Sequence, residues 1–93
     1  MIKTKQNGKK VWVTFTVPVQ EGMNDVALCG AWSDWEHEPM KQKKSGEFYL
    51  TKVLPTGSSF EFGYKINGHE WIPEGECVTV PSPFGTHNAV LEL

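Results

Sequence analysis

Phe60, Phe62, Tyr64 and Ile66 recur at every second position with Glu61, Gly63 and Lys65 between them, and Asn67-Gly68 follows directly. A period of two places the four large apolar side chains on one face of a strand. Asn-Gly supplies the positive φ angles of a tight turn, so the chain is expected to return as a β-hairpin carrying Trp71. Turn length decides where that indole points. A two-residue loop pairs Tyr64 with Trp71 and turns the ring toward the core. A three-residue loop with a bulge sets Trp71 opposite Lys65 or opposite Gly63, on the other face. Pattern alone leaves both registers open, although a glycine beside an aromatic leaves room for a ring to lie flat over the sheet, which favours display.

The remaining chain reads in the same period. Val11, Val13, Phe15 and Val17 alternate with Trp12, Thr14 and Thr16 until Pro18 ends the run. A short strand is expected over 26–29, then a loop with two tryptophans that enters a strand near Met40. Strands follow over 48–54, 60–66, 77–80 and 87–93, separated by Ser45-Gly46, Pro55-Thr56-Gly57 and the break at 73–75. No segment shows helical periodicity. About seven short strands at this spacing describe an all-β, immunoglobulin-like antiparallel sandwich, a single domain over 1–93.

A chain of 93 residues buries about 65% of its unfolded surface, enough to fold without a disulfide. Nine lysines and no arginine stand against eleven acids, for a net charge of −2. That balance offers no field to hold a polyanion, so no nucleic acid is expected as a partner. Lys9-Lys10 and Lys41, Lys43 and Lys44 read as solvated faces or guards of sheet edges. Cys29 and Cys77 lie far apart without metal-ligand spacing and read as small buried hydrophobes. The amino terminus lacks the apolar run of a signal peptide and no stretch is long enough to span a bilayer, which points to a cytoplasmic protein away from membranes. No motif for a cofactor or a metal appears.

Several stretches together resemble the family 48 carbohydrate-binding modules, also called isoamylase N-terminal early-set domains, which include the glycogen-binding domain of the AMP-activated protein kinase β subunit. They are V-A-L-C-G-A-W-S-D-W-E-H-E-P-M at 26–40, G-E-F-Y-L at 46–50, L-P-T-G at 54–57, F-E-F-G-Y-K-I-N-G-H-E-W at 60–71 and V-P-S-P-F-G-T-H-N-A-V-L at 80–91. The resemblance implies an early-set sandwich that binds α-1,4-linked glucan such as glycogen without cleaving it. It also implies a partner enzyme of glycogen metabolism, or a kinase. By position, the stacking tryptophans would be Trp35 and Trp71, with Thr86 and Asn88 as polar contacts and Phe84 as the apolar residue threaded by the sugar curve. The family's binding lysine falls on Gly63, leaving Lys65, two residues on along the same face, as the available ammonium. The spacing from turn to tryptophan is one residue longer than in the kinase domain.

An indole covers the C–H face of a glucose ring, and polar groups at the rim then fix its hydroxyls. Trp35, set among Ser33, Asp34, Glu36 and His37, is in a poor context for burial, whereas Trp32 beside Gly30 and Ala31 reads as core. Trp12 is expected to cover an edge or a second sheet surface. Asn88 and Thr86 have a competing role in bonding their own turn. Asp34, Glu36 and Glu38 share one loop, but glycoside hydrolysis needs two carboxylates flanking a cleft, so no catalytic residue is assigned. Two readings remain: a stand-alone glycan-binding module, or a protein-interaction domain that uses a sheet edge or its aromatic face to dock.

Overall fold

A computed structural model describes all 93 residues. The strands are β1 (Ile2–Asn7), β2 (Lys10–Val17), β3 (Val26–Gly30), β4 (Glu38–Pro39), β5 (Lys41–Gln42), β6 (Phe48–Pro55), β7 (Ser59–Ile66), β8 (Glu70–Ile72), β9 (Thr79–Pro81) and β10 (His87–Glu92). One 3-10 turn, Ala31–Ser33, follows β3. Every pairing is antiparallel. One sheet runs β1-β2-β6-β5; the other runs β4-β3-β7-β10-β9, with β8 also on β7. The two pack as an immunoglobulin-like sandwich.

The alternating residues meet where the period places them. Val11, Val13, Phe15 and Val17 on β2 face Leu28, Phe62, Tyr64 and Ile66 of the opposite sheet in one core cluster, with Ala89 and Leu91 from β10. Phe15 and Phe62 touch edge to face, with ring centroids 5.2 Å apart, a contact that adds to their area burial. The chain crosses between sheets at Met40. β4 belongs to one sheet and β5 to the other, and the buried Met40 donates its N–H to the Val26 carbonyl at 2.9 Å.

Besides the strand expected near Met40, which is split into β4 and β5 on different sheets, two elements differ from the sequence reading. β1 is a strand that the pattern does not announce, because its residues are polar and five of its six positions are exposed. It forms by pairing with β2 from Ile2↔Phe15 to Asn7↔Lys10, through a turn at Gly8 with φ 64°. The strand expected over 77–80 lies instead at Thr79–Pro81, because the Cys77 N–H is taken by the Glu74 carbonyl at 3.3 Å in a turn.

The hairpin register is resolved. Ile66 pairs with Glu70 and Lys65 with Trp71, so Asn67, Gly68 and His69 form a three-residue loop. Asn67 (φ 52°) and Gly68 (φ 76°) take the left-handed conformations, and the His69 N–H closes on the Ile66 carbonyl at 3.1 Å. The Asn67 side chain serves a second purpose: its Oδ1 accepts from the Asn24 N–H at 2.8 Å and its Nδ2 donates to the Gly22 carbonyl at 2.7 Å. The hairpin tip is thereby tied to the loop before β3.

Candidate functional site

β7 gives one of its edges to two strands in succession. β10 pairs with residues 59–62 and β8 with residues 64–66, so Gly63 lies at the junction between them. The Trp71 ring reaches from β8 across this junction. A Cβ placed on Gly63 would lie 2.7 Å from Cε2 of the indole, closer than packed carbons approach. The indole Nε1–H donates to the His87 carbonyl at the start of β10 at 3.1 Å. Trp71 is therefore seated on a glycine and pinned through its indole N–H. On the other flank of Gly63, its partner Cys29 is 2% exposed and carries a free thiol. Burial pushes that thiol up, against the pull of the Lys65 ammonium.

Trp35 arrives by a different route. After the 3-10 turn, Asp34 (φ 58°) and Trp35 (φ 65°) both adopt left-handed backbone. The Trp35 N–H closes the bend on the Gly30 carbonyl at 3.0 Å. Such a conformation costs an L-residue about 1–2 kcal/mol, and strain of this kind concentrates at ligand sites. It turns the Trp35 ring, 38% exposed, to stand beside Trp71 with centroids 6.1 Å apart and planes inclined at 55°. Trp32, three residues earlier, goes to the opposite face. It packs on Phe15 and Phe62, its ring folded over Gly30, and donates its Nε1–H to Glu38 at 3.1 Å.

Lys65 stands opposite Trp71 and enters no ion pair. The loop between β9 and β10 completes the surface. It is closed by the Ser82 N–H on the Thr86 carbonyl at 2.8 Å, with Gly85 at φ 82°. Phe84 projects from its tip, 90% exposed. Lys65, Trp71, Phe84 and Thr86 line one hollow of about 240 Å³. The Thr86 hydroxyl lies 3.2 Å from that of Ser82.

No family model matches the chain, and no curated protein sequence matches it.

Trp35, Trp71, Lys65, Phe84 and Thr86 thus share one outer surface, and Asn88 does not join the rim. It is 7% exposed, and its Nδ2 donates to Glu61 Oε1 at 3.2 Å, an interaction between neighbouring strands and not within its own turn. Residue 88 alternates with Ala89, which is buried in the core, so its own side chain lies on the outer face of the sheet beside Glu61. The His87 carbonyl that anchors Trp71 carries no sequence signal, since every residue has one. Of the carboxylates in the tryptophan loop, Glu38 is committed on both oxygens, to Lys52 at 2.6 Å and to Trp32. No three His, Cys, Asp or Glu side chains come together as metal ligands would.

Proposed function

We propose that this protein is a non-catalytic carbohydrate-binding module that holds α-1,4-linked glucan on the outer face of its larger sheet. The observation that carries the reading is the pair of indoles inclined at 55° with centroids 6.1 Å apart. Two platforms at an angle suit a curved polymer whose successive rings change orientation. Lys65 and Thr86 supply an ammonium and a hydroxyl to the sugar edges, and Phe84 offers an apolar prop. The motif resemblance to family 48 carbohydrate-binding modules supports the same reading, and the two departures from that pattern act together. With the longer turn, Trp71 falls on the outer face, and the glycine that replaces the family's lysine becomes its seat. Lys65 then takes the part of the missing ammonium.

The test is a titration of tryptophan fluorescence with maltoheptaose, repeated on Trp35→Ala/Trp71→Ala. Saturable quenching that the double variant lacks is expected. An unchanged spectrum for the native protein, or equal response from the variant, would remove the proposal. A second reading, docking to a protein partner, is favoured by the exposure of Phe84 together with Val78 on the neighbouring segment, since exposed apolar side chains also mark interfaces.

A further inference from the structure

The outer face of the smaller sheet has a chemistry of its own. β1, β2, β5 and β6 contain neither Asp nor Glu. Lys3, Lys5, Lys10 and Lys41 occupy exposed positions there, and none forms an ion pair. Glu76 reaches the start of β1, where it accepts from the Ile2 N–H at 3.1 Å. The overall charge of −2 conceals this separation, in which the acids lie on the other sheet and in loops.

Within that positive face, Lys5 lies opposite Trp12 and Lys3 opposite Thr14 across β1 and β2; Val53 and Thr51 lie opposite the same two residues across β2 and β6. A cavity of about 380 Å³, the largest in the molecule, is lined by Trp12, Lys3, Lys5, Asn7, Thr14 and Thr51 among others. Lys43 covers the Tyr49 ring at 5.5 Å, but no ammonium lies over Trp12, which is 38% exposed. The Thr14 and Thr51 hydroxyls pair at 2.9 Å, and each retains lone pairs for a ligand.

We propose that this face is a second binding site, for a phosphate-bearing sugar. The hexose C–H face would lie on Trp12, its hydroxyls would meet Thr14, Thr51 and Asn7, and its phosphate would sit between the Lys3 and Lys5 ammoniums. Lysines on an edge strand also deter unwanted strand pairing, but that role leaves the open indole and the exposed Val53 on the inner strands without a purpose. An acidic peptide would share the attraction to lysine. A ring-sized hollow lined by hydroxyls and an amide matches a compact polyhydroxylated ligand better than an extended chain. The site is independent of the Trp35 and Trp71 surface.

The experiment is a ¹⁵N–¹H titration of the native protein with glucose 6-phosphate, following the four tryptophan indole signals, with Trp12 assigned through Trp12→Phe. The Trp12 signal is expected to shift saturably, glucose alone to leave it in place, and Lys3→Ala/Lys5→Ala to weaken binding about tenfold or more. Trp35 and Trp71 report the other face, so maltoheptaose shifting or failing to shift them has no bearing on this result. Three outcomes overturn the proposal: an unmoved Trp12 signal, inorganic phosphate binding as tightly as the sugar phosphate, or a glutamate-rich peptide displacing the sugar phosphate at lower concentration. The last would make the face a docking surface for an acidic protein.

Discussion

Trp71 rests on Gly63, eight residues before it in the chain, with the indole occupying the space where any other side chain at 63 would stand. Gly63 does not have a positive φ, so the position needs glycine for room and not for backbone freedom. One glycine thereby sets the height of the aromatic platform above the sheet.

Gly63→Ala is accordingly expected to lift the ring and break its hydrogen bond to His87. The cost is about 1–3 kcal/mol, the range for overpacking. Urea denaturation measures the stability loss, and altered Trp71 emission reports the displacement. Unchanged stability together with unchanged emission would show that the ring has another resting place.

At position 35 the strain lies in the backbone. Glycine adopts φ near +65° without steric penalty, whereas alanine does not. Trp35→Gly should therefore be about 1 kcal/mol more stable than Trp35→Ala, while both variants lose the platform. Equal melting temperatures would show that the left-handed bend relaxes once the indole is gone.

Glu74 links the two sheets and is 5% exposed. Burial alone would raise its pKa, but hydrogen bonds from the Met1 ammonium, the Glu76 N–H and the Tyr64 hydroxyl outweigh burial and hold it below its ordinary value of 4.5. A carboxyl depressed on folding adds stability above its unfolded pKa and loses it as pH falls through the folded value. Stability should therefore decline with acid below about 4.5, and Glu74→Gln should flatten that limb at a cost of about 2 kcal/mol near neutrality. Tyr64 has the opposite sign. Burial and the adjacent Glu74 carboxylate push its phenol far above 10.0, so its contribution is intact below that value and declines at higher pH. Melting temperatures from pH 2 to 11 test both limbs, and a flat acid limb in the native protein would contradict the first.

Phe15 touches both Phe62 and Trp32 and is wholly buried. Phe15→Ala should cost about 3–5 kcal/mol. It should also change the near-ultraviolet circular dichroism of Trp32 while leaving the Trp35 and Trp71 pair on the outer face intact. Equal disturbance of both pairs would mean that the two faces are mechanically coupled.

Most of the sandwich is legible in the chain because β7 alternates between large apolar and smaller or polar residues, and β2 alternates in the same period with Trp12 as its one large outward residue, a pattern that suits a half-buried strand. β1 is not legible because an edge strand whose only apolar residue is Ile2 has no alternation to show; its pairing comes from the turn at Gly8 and the open edge of β2. The outward setting of Trp35 follows from its polar neighbours. Asn88 illustrates the limit: its sequence context fits a rim or its own turn, and the proximity of Glu61 gives it neither but a bond between strands.

The β period, the position of the hairpin and the segregation of apolar side chains to one face of each strand are set by local order along the chain, because they depend on residues within a few positions of one another. The three-residue turn register, the junction of β8 and β10 at Gly63, the approach of Trp35 to Trp71, and the collection of unpaired lysines around Trp12 arise only once the sheets assemble. Each of these depends on contacts between segments far apart in the chain. One residue of slip in the turn would reverse the face of Trp71, and local propensity does not distinguish the two registers.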